Sequence, residues 1–226
     1  MNSKLIIMLT LDDKTVVNAI KVFEEAKKSP VECWGFKDVG LESEKMRTLV
    51  SNMKEAGKTT FLEVVSYTED ECMAGAKLAV EFGFDYLMGT IFYDSVYEYI
   101  KEENIEYLPF CGKVSQSPSI LEGSNREIID EAKELLIKGV DGFDILAYRH
   151  VIDGEKLAME FCAEINAKTV IAGSINSFER IDTMAKINPW GFTMGSALFD
   201  KQFDENGTFL QNLELVVKYM DTIDNI

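Results

Sequence analysis

The sequence predicts an α/β fold, a single (β/α)8 TIM barrel over residues 1–226. Three observations support it: short apolar runs alternate with amphipathic helical patterns along the chain, eight such units fit within 226 residues, and the last two runs each stop at a Gly-Ser pair. The alternative is an open, doubly wound sheet. It is disfavoured because no GxGxxG follows the first run and the glycine-rich strand ends come last.

The predicted elements follow one another in strict alternation. The strands are Leu5–Leu11, Val31–Phe36, Thr59–Val65, Tyr86–Ile91, Glu106–Cys111, Gly142–Ala147, Thr169–Ile175 and Gly191–Met194. The helices are Lys14–Lys27, Ser43–Ala56, Asp70–Phe82, Asp94–Glu103, Arg126–Ile137, Asp153–Ile165, Ser177–Ile187 and Leu210–Met220. Ser124 and Glu127 have the spacing of a capping box, and Gly57, Gly83 and Gly139 are placed as C-terminal caps.

The chain is strongly acidic, with 39 acidic against 23 basic residues and a formal net charge of −16. This balance argues against a nucleic-acid partner or an anionic membrane surface, since both require clustered Lys and Arg. It also repels an anionic substrate at long range. A phosphate site here must therefore use local backbone donors and one or two cations.

The cysteines and the N-terminus indicate a cytoplasmic protein. Cys33, Cys72, Cys111 and Cys162 form no CxxC pair, which favours free thiols in a reducing compartment. The N-terminal apolar run of about eight residues is too short for a signal peptide or a membrane span.

The two Gly-Ser pairs predict a phosphate site. Gly173-Ser174 and Gly195-Ser196 each end an apolar run, and Asn176 with Glu179 has capping-box spacing just after the first pair. Backbone N–H groups at glycine-rich turns and helix starts attract anions, and glycine lets phosphate oxygens approach closely. In (β/α)8 barrels such a site lies after strands seven and eight.

Two lysines lie at predicted strand ends, where barrel active sites are built: Lys37 after strand two and Lys113 after strand five. A lysine there can clamp a phosphate, stabilise an enediolate, or form a Schiff base if burial depresses its pKa. The alternative for each is an exposed loop lysine.

Three carboxylates are further candidates for moving protons. Asp12 is an acid/base residue or the N-cap of the first helix, and Asp13 is the cap if Asp12 points inward. Glu63 and Asp144 sit between apolar residues within strands, where a carboxylate is costly to bury unless it is functional or ion-paired.

His150, the one histidine in the chain, follows strand six and suits general acid or base chemistry, or it is incidental. Arg149 is a fork for phosphate or carboxylate, or pairs with Asp153. The sequence has no HExxH, P-loop or Cys/His metal cluster. No cofactor is predicted, although strand-end carboxylates are compatible with Mg²⁺.

Three segments carry a family resemblance. VIAGSINSFERI (170–181) resembles the seventh-strand phosphate loop of the ribulose-phosphate-binding barrels, and FTMGSALFDKQF (192–203) is similar to the eighth-strand ending of their histidine-biosynthesis isomerases. LTLDD (9–13) looks like the strand-one aspartate of their hexulose-phosphate synthase group. The group also includes sugar-phosphate epimerases and decarboxylases. The resemblance implies the barrel fold and a phosphorylated ligand of carbohydrate metabolism.

The chain departs from the catalytic motifs of this superfamily. Strand three reads Leu62–Ser66 where the synthase and decarboxylase group carries Asp-x-Lys-x-x-Asp, and one histidine cannot supply the paired histidines of the epimerases. Asp12 matches the first aspartate of the histidine-pathway isomerases, but strand five ends in Cys111-Gly112-Lys113 in place of the second.

Together these features predict an isomerase, epimerase or carbon–carbon lyase (aldolase type) acting on a small phosphorylated metabolite. The predicted catalytic residues are Asp12, Lys37, Glu63, Lys113, Asp144 and His150, and the predicted phosphate ligands are Gly173, Ser174, Gly195 and Ser196. The alternative is a non-catalytic barrel that senses a phosphorylated metabolite. Substrate identity, metal requirement and assembly into a homo-oligomer are left open.

Overall fold

Eight parallel strands form the barrel in a computed structural model that describes residues 3–116 and 118–223. The strands are β1 (Lys4–Met8), β2 (Cys33–Lys37), β3 (Thr59–Val64), β4 (Tyr86–Gly89), β5 (Glu106–Leu108), β6 (Gly142–Ile145), β7 (Lys168–Ile171) and β8 (Gly191–Met194). They pair in the order β6-β7-β8-β1-β2-β3-β4-β5. This circular order is that of a (β/α)8 barrel, and the predicted fold class is confirmed.

Helices follow the strands and surround the barrel. They are α1 (Ala19–Ala26), α2 (Ser43–Glu55), α3 (Glu69–Phe82), α4 (Asp94–Ile100), α5 (Asn125–Lys138), α6 (Gly154–Glu164), α7 (Phe178–Ile187), α8 (Ser196–Phe199) and α9 (Phe209–Ile223). Their buried faces pack on the outward residues of the strands to form the larger apolar core.

The barrel closes between β5 and β6 without a regular ladder. The Asp141 N–H donates to the Tyr107 carbonyl at 3.1 Å, and the Asp144 N–H donates to the Pro109 carbonyl at 3.1 Å. The Asp141 side chain accepts the Tyr107 N–H at 2.8 Å. Pro109 ends β5 early because proline cannot donate to a ladder.

Strand alternation decides what faces the barrel interior. Ile6, Cys33, Phe61 and Val170 belong to an apolar cluster inside the barrel, separate from the outer core. Because side chains alternate with a period of two, Lys37 shares the inward face of Cys33, and Glu63 shares that of Phe61. Both charged residues therefore lie inside the barrel near the carboxyl ends of their strands.

Stacked aromatic rings fill the opposite end of the barrel. Phe61 and Tyr86 stack with ring centroids 4.5 Å apart, and Trp190 lies 5.5 Å from Tyr86. Lys168 lies over both Tyr86 and Trp190. The aromatic residues pack across the amino-terminal end, while polar side chains gather at the carboxyl end.

The region predicted as the start of the first helix is a β-hairpin, and α1 begins only at Ala19. Thr10–Leu11 pairs antiparallel with Lys14–Thr15 across a two-residue turn. Asp12 and Asp13 form that turn with φ of 51° and 58°. Two consecutive left-handed residues define a type I′ turn, and aspartate tolerates this conformation better than most residues.

A second hairpin, absent from the sequence prediction, pairs Lys113–Ser115 with Ile120–Glu122. Of the predicted caps, the Ser124–Glu127 capping box is confirmed, and Gly83 and Gly139 end their helices in the left-handed conformation. At α7 the cap lies one residue later than predicted, because the Ser177 side chain accepts the Arg180 N–H.

The four cysteines are free thiols. Within residues 3–116 and 118–223, none of the helices has the length and apolar character needed to cross a membrane.

Gly142 leaves no room for a side chain where β6 meets β7. A Cβ there would lie 2.0 Å from the Lys168 carbonyl oxygen. We expect Gly142→Ala to lower the free energy of unfolding by about 2–3 kcal/mol, because the strands must separate. Gly57→Ala is the control: its φ is +71° and nothing lies within 4 Å of the added Cβ, so only about 1 kcal/mol of backbone strain is expected. If urea denaturation shows the same loss in free energy of unfolding for both variants, the steric argument is contradicted.

Candidate active site

A cavity of about 190 Å³ opens at the carboxyl ends of the strands. Residues from β1, β2, β3 and β8, and from the loops after β1, β5, β6, β7 and β8, line it. The lining residues used below are Thr10, Asp13, Lys37, Glu63, Ser119, Arg149, Gly173, Ser174, Gly195, Ser196 and Asp200. The cavity lies where (β/α)8 barrels carry their active sites.

Lys37 is the central cation of the cavity, and its side chain is only 7% exposed. Its Nζ donates to Asp13 Oδ1 at 2.9 Å and lies 3.4 Å from Glu63 Oε1. Burial acts to lower the pKa of Lys37, but the charges of Glu63 and Asp13 outweigh it and raise the pKa above its ordinary value. The ammonium group is therefore charged at neutral pH.

The hairpin after β1 delivers Asp13 to Lys37. Thr15 Oγ1 donates to the Lys37 carbonyl at 2.6 Å, and the Lys37 N–H donates back to Thr15 Oγ1 at 2.9 Å. These two bonds tie the hairpin to the end of β2. The type I′ turn at Asp12-Asp13 is thus fixed with Asp13 directed into the cavity and Asp12 exposed.

Arg149 holds Asp13 from the other side. It ends a 3₁₀ turn, Ala147–Arg149, that follows β6. Its two terminal nitrogens donate to Asp13 Oδ1 at 3.1 Å and Oδ2 at 3.2 Å. Burial acts to raise the pKa of Asp13, but the Arg149 hydrogen bonds and the Lys37 charge outweigh it and lower the pKa to about 2.

Asp144 lies inside the barrel and is fully buried. Neither of its carboxylate oxygens has a hydrogen-bond partner within the part of the chain that the structure describes. Burial raises the pKa of Asp144 well above its ordinary value, and the Glu63 charge adds to the effect. Burial therefore favours the protonated, neutral form of Asp144 beside the charged cluster.

The two predicted Gly-Ser loops meet at the cavity rim. Gly173 and Ser174 are left-handed, with φ of 82° and 58°. Ser196 begins the short helix α8. Its N–H and that of Ala197 therefore have no carbonyl acceptor within the helix. Gly195 also has a packing role, because a Cβ there would lie 2.8 Å from both the Met8 carbonyl oxygen and Thr10 Oγ1.

The remaining predicted site residues lie away from the cavity lining. Asp12 is exposed at the hairpin turn, and Lys113 pairs with Glu122 at 3.2 Å with its side chain 74% exposed. His150 Nε2 lies 2.8 Å from the Gly123 carbonyl oxygen. The structure thus brings Lys37, Glu63 and both Gly-Ser pairs together, with Asp144 beneath them, and separates Asp12, Lys113 and His150 from them.

Asp13 and Arg149 line the cavity, although neither is among the catalytic or phosphate-binding residues predicted from the sequence. The sequence predicts Asp13 as the helix cap if Asp12 points inward, because the pair precedes a helical pattern; in the structure Asp13 points inward and Asp12 is exposed. A two-residue Asp-Asp turn between β-branched Thr10 and Thr15 was the available hairpin signal. Arg149 follows β6 by four residues and reaches back over the cavity only because the 3₁₀ turn reverses the chain.

Among the described residues, no group of three or more His, Cys, Asp or Glu side chains is arranged to hold a metal ion. The cavity carboxylates Asp13 and Glu63 face Lys37.

Comparisons with solved structures find this barrel in phosphate-ester enzymes. An orotidine 5′-phosphate decarboxylase from Pyrococcus horikoshii OT3 matches with a TM-score of 0.70 and 11% identity, over 96% of this chain and 99% of that chain. Phosphoribosylanthranilate isomerase from Thermotoga maritima matches with a TM-score of 0.64 and 11% identity, over 97% of this chain and 99% of that chain.

An N-acetylmannosamine-6-phosphate 2-epimerase from Clostridium perfringens matches with a TM-score of 0.62 and 10% identity, over 97% of this chain and 93% of that chain. No protein-family model matches the sequence, and no curated protein matches it. At these identities the likeness shows the fold. The (β/α)8 barrel that the sequence resemblance implies is confirmed.

The buried Asp144 predicts a pH-dependent stability difference. Its native carboxyl keeps a proton that the unfolded chain releases above pH 4, so Asp144 reduces the free energy of unfolding as the pH rises. Asp144→Asn has no such proton. We expect the free energy of unfolding of the variant, relative to the wild type, to rise by about 1.4 kcal/mol per pH unit above pH 4, up to the native pKa. If the free energies of unfolding of the two proteins change with pH in the same way, the raised pKa of Asp144 is contradicted.

Proposed function

We propose that this protein is an enzyme that moves a proton next to a carbonyl group on a small phosphorylated metabolite. Isomerases, epimerases and aldolase-type lyases all share this step. The observation that carries the proposal is a buried, charged Lys37 flanked by Asp13 and Glu63, in the same cavity as two Gly-Ser loops. A cation with adjacent carboxylates is what enolate chemistry requires.

The Gly-Ser loops would hold the phosphate. Both end barrel strands and face one cavity, and one of them begins a helix whose first N–H groups lack intrahelical acceptors. The similar folds include a decarboxylase, an isomerase and an epimerase whose names specify phosphate esters. Together with the loop geometry, this favours a phosphate ester as ligand.

Lys37 would stabilise oxyanion charge rather than form an imine. Imine formation needs the neutral amine, and the pKa of Lys37 lies above its ordinary value because of Glu63 and Asp13, against the effect of burial. At pH 7 fewer than about one Lys37 side chain in a thousand is then neutral. A fixed ammonium group can instead balance the negative charge that develops on a substrate carbonyl oxygen.

Asp13 and Glu63 are the carboxylates placed to accept or return the proton. Each faces Lys37, so a substrate oxygen beside the ammonium group would lie near both. Asp144 supplies a second kind of group, a neutral acid below the cluster. The pKa of Asp13 is lowered and that of Asp144 is raised, and two carboxyl groups displaced in opposite directions suit separate roles as base and acid.

The first experiment is a thermal-shift screen against sugar phosphates, their unphosphorylated sugars and inorganic phosphate. A ligand at 100 times its Kd stabilises the fold by about 2.7 kcal/mol, which raises the Tm by several degrees. A shift by a phosphate ester but not by its parent sugar supports the phosphate site. No shift by any phosphate compound would contradict it.

Lys37→Met tests the chemical step on whichever phosphate ester binds. Wild-type enzyme in D₂O should place deuterium next to the ligand's carbonyl group, observed by NMR. Loss of the ammonium group should slow this exchange by about 10²–10³-fold. Lys113→Met removes an exposed lysine away from the cavity and should exchange at the wild-type rate. Ligand binding without exchange in the wild type would instead support a metabolite-sensing barrel.

Ser196→Asp tests where the phosphate binds. The Ser196 side chain is exposed at the first position of α8, where a carboxylate is favourable for folding. The new charge should weaken binding of the phosphate ester by at least about tenfold through repulsion. Ser196→Asn has nearly the same size without the charge and should bind like the wild type. Equal affinities of the two variants in calorimetry would place the phosphate elsewhere.

A further inference from the structure

The cavity has more negative than positive side chains before any ligand arrives. The cations on its described lining are Lys37 and Arg149, and the carboxylates on it are Asp13, Glu63 and Asp200. The whole chain carries a net charge of −16. A phosphate dianion therefore needs a cation that can be released from its present partner.

Arg149 is the cation that can be released. Lys37 lies deeper, with its side chain 7% exposed, and contacts two carboxylates, Asp13 and Glu63. The Arg149 side chain is 25% exposed, and Asp13 is its one ion-pair partner within the described residues. Its remaining polar contact is a 3.4 Å hydrogen bond to the Ser119 carbonyl.

Arg149 also lies against the first Gly-Ser loop. A Cβ on Gly173 would be 3.1 Å from Arg149 Nε and 3.3 Å from its Cγ. The Arg149 side chain thus pairs with Asp13 at its tip and occupies the space that a side chain at residue 173 would need. A guanidinium binds carboxylate and phosphate oxygens through the same two-pronged geometry, so a small movement exchanges one for the other.

We propose that Arg149 binds the phosphate group of the ligand and gives up its ion pair with Asp13 to do so. Ligand binding thereby releases the Asp13 carboxylate for catalysis. This inference rests on the phosphate site of the proposed function. It adds a specific order of events: Asp13 is paired with Arg149 before the ligand binds, and the phosphate group of the substrate then breaks that pair.

The release changes the chemistry of Asp13. The charged groups facing Asp13 are Arg149 and Lys37, with Glu63 beyond Lys37. Burial raises the pKa of Asp13, and the hydrogen bonds from Arg149 are the largest opposing effect. Once Arg149 moves to phosphate, the pKa of Asp13 rises and the carboxylate becomes a stronger base. An enzyme arranged in this way activates its base only when a phosphorylated ligand is present.

Sulfate is a suitable probe, because it is a tetrahedral dianion with the shape of phosphate. We would measure its Kd by calorimetry at pH 7 for the wild type, Asp13→Asn, Arg149→Gln and the double variant. Asparagine tolerates the left-handed turn at residue 13, so Asp13→Asn preserves the hairpin. Circular dichroism melting of each variant confirms that it is folded.

The exchange predicts a coupled pattern of affinities. Asp13→Asn removes the competitor for Arg149 and should tighten sulfate binding about tenfold, whereas Arg149→Gln should weaken it about a hundredfold. In the Arg149→Gln background, Asp13→Asn should change the Kd less than about twofold. Arg149→Lys, which keeps the charge but not the two-pronged contact, should recover part of the lost affinity.

The alternatives give different results. If Asp13→Asn tightens binding equally with and without Arg149, Asp13 acts by general repulsion and the exchange is wrong. If Asp13→Asn weakens binding, Asp13 holds Arg149 in place for the anion, which also overturns the proposal. A wild-type protein that binds neither sulfate nor phosphate contradicts the phosphate site itself, and the inference fails with it.

Discussion

The site depends on the ion pairs that Lys37 makes with Asp13 and Glu63 inside the barrel. A single buried charge costs several kcal/mol, and removing one partner of a buried pair leaves that cost uncompensated. Lys37 has two carboxylate partners, and one of them, Asp13, has Arg149 as a second cation. Removing any one of these charges would therefore leave a neighbouring charge with fewer partners. The network fixes the position of its members and keeps Lys37 protonated, two conditions that electrostatic stabilisation of a developing anion requires.

The same network explains why the loops at the barrel mouth have their conformations. Asp13 reaches Lys37 because two left-handed aspartates form the hairpin turn, and Thr15 ties that hairpin to the backbone of Lys37. Arg149 reaches Asp13 because the chain reverses in a 3₁₀ turn directly after β6. In each case a local backbone conformation places a charge over the barrel. The strands form the base of the site, and the turns after β1 and β6 place Asp13 and Arg149 over it.

The sequence was sufficient for the fold because its signals are periodic and repeated. Eight alternations of strand and helix leave little choice of architecture, and strand alternation alone puts Lys37 and Glu63 on the inward face. The errors arise where a single turn decides the outcome. The pattern after Asp13 is helical in composition, yet the Asp12-Asp13 turn delays the helix to Ala19. The sequence places both Lys37 and Lys113 just after predicted strands. In the structure Lys37 is the last residue of β2, whereas Pro109 ends β5 early and a hairpin carries Lys113 outward.

Ion pairing within the cavity also bears on specificity. An acidic protein that exposed free cations at its active site would attract many anions, whereas here each cation already has a carboxylate partner. A weak anion gains little by displacing Asp13 from Arg149, because it exchanges one two-pronged contact for another. At the proposed phosphate site a phosphate dianion would gain more, since it carries higher charge and would also meet the backbone N–H groups of both Gly-Ser loops. Under that proposal, competition from Asp13 would lower the affinity for every anion but would lower it least for the ligand that uses the loops, so that internal ion pairing would give selectivity.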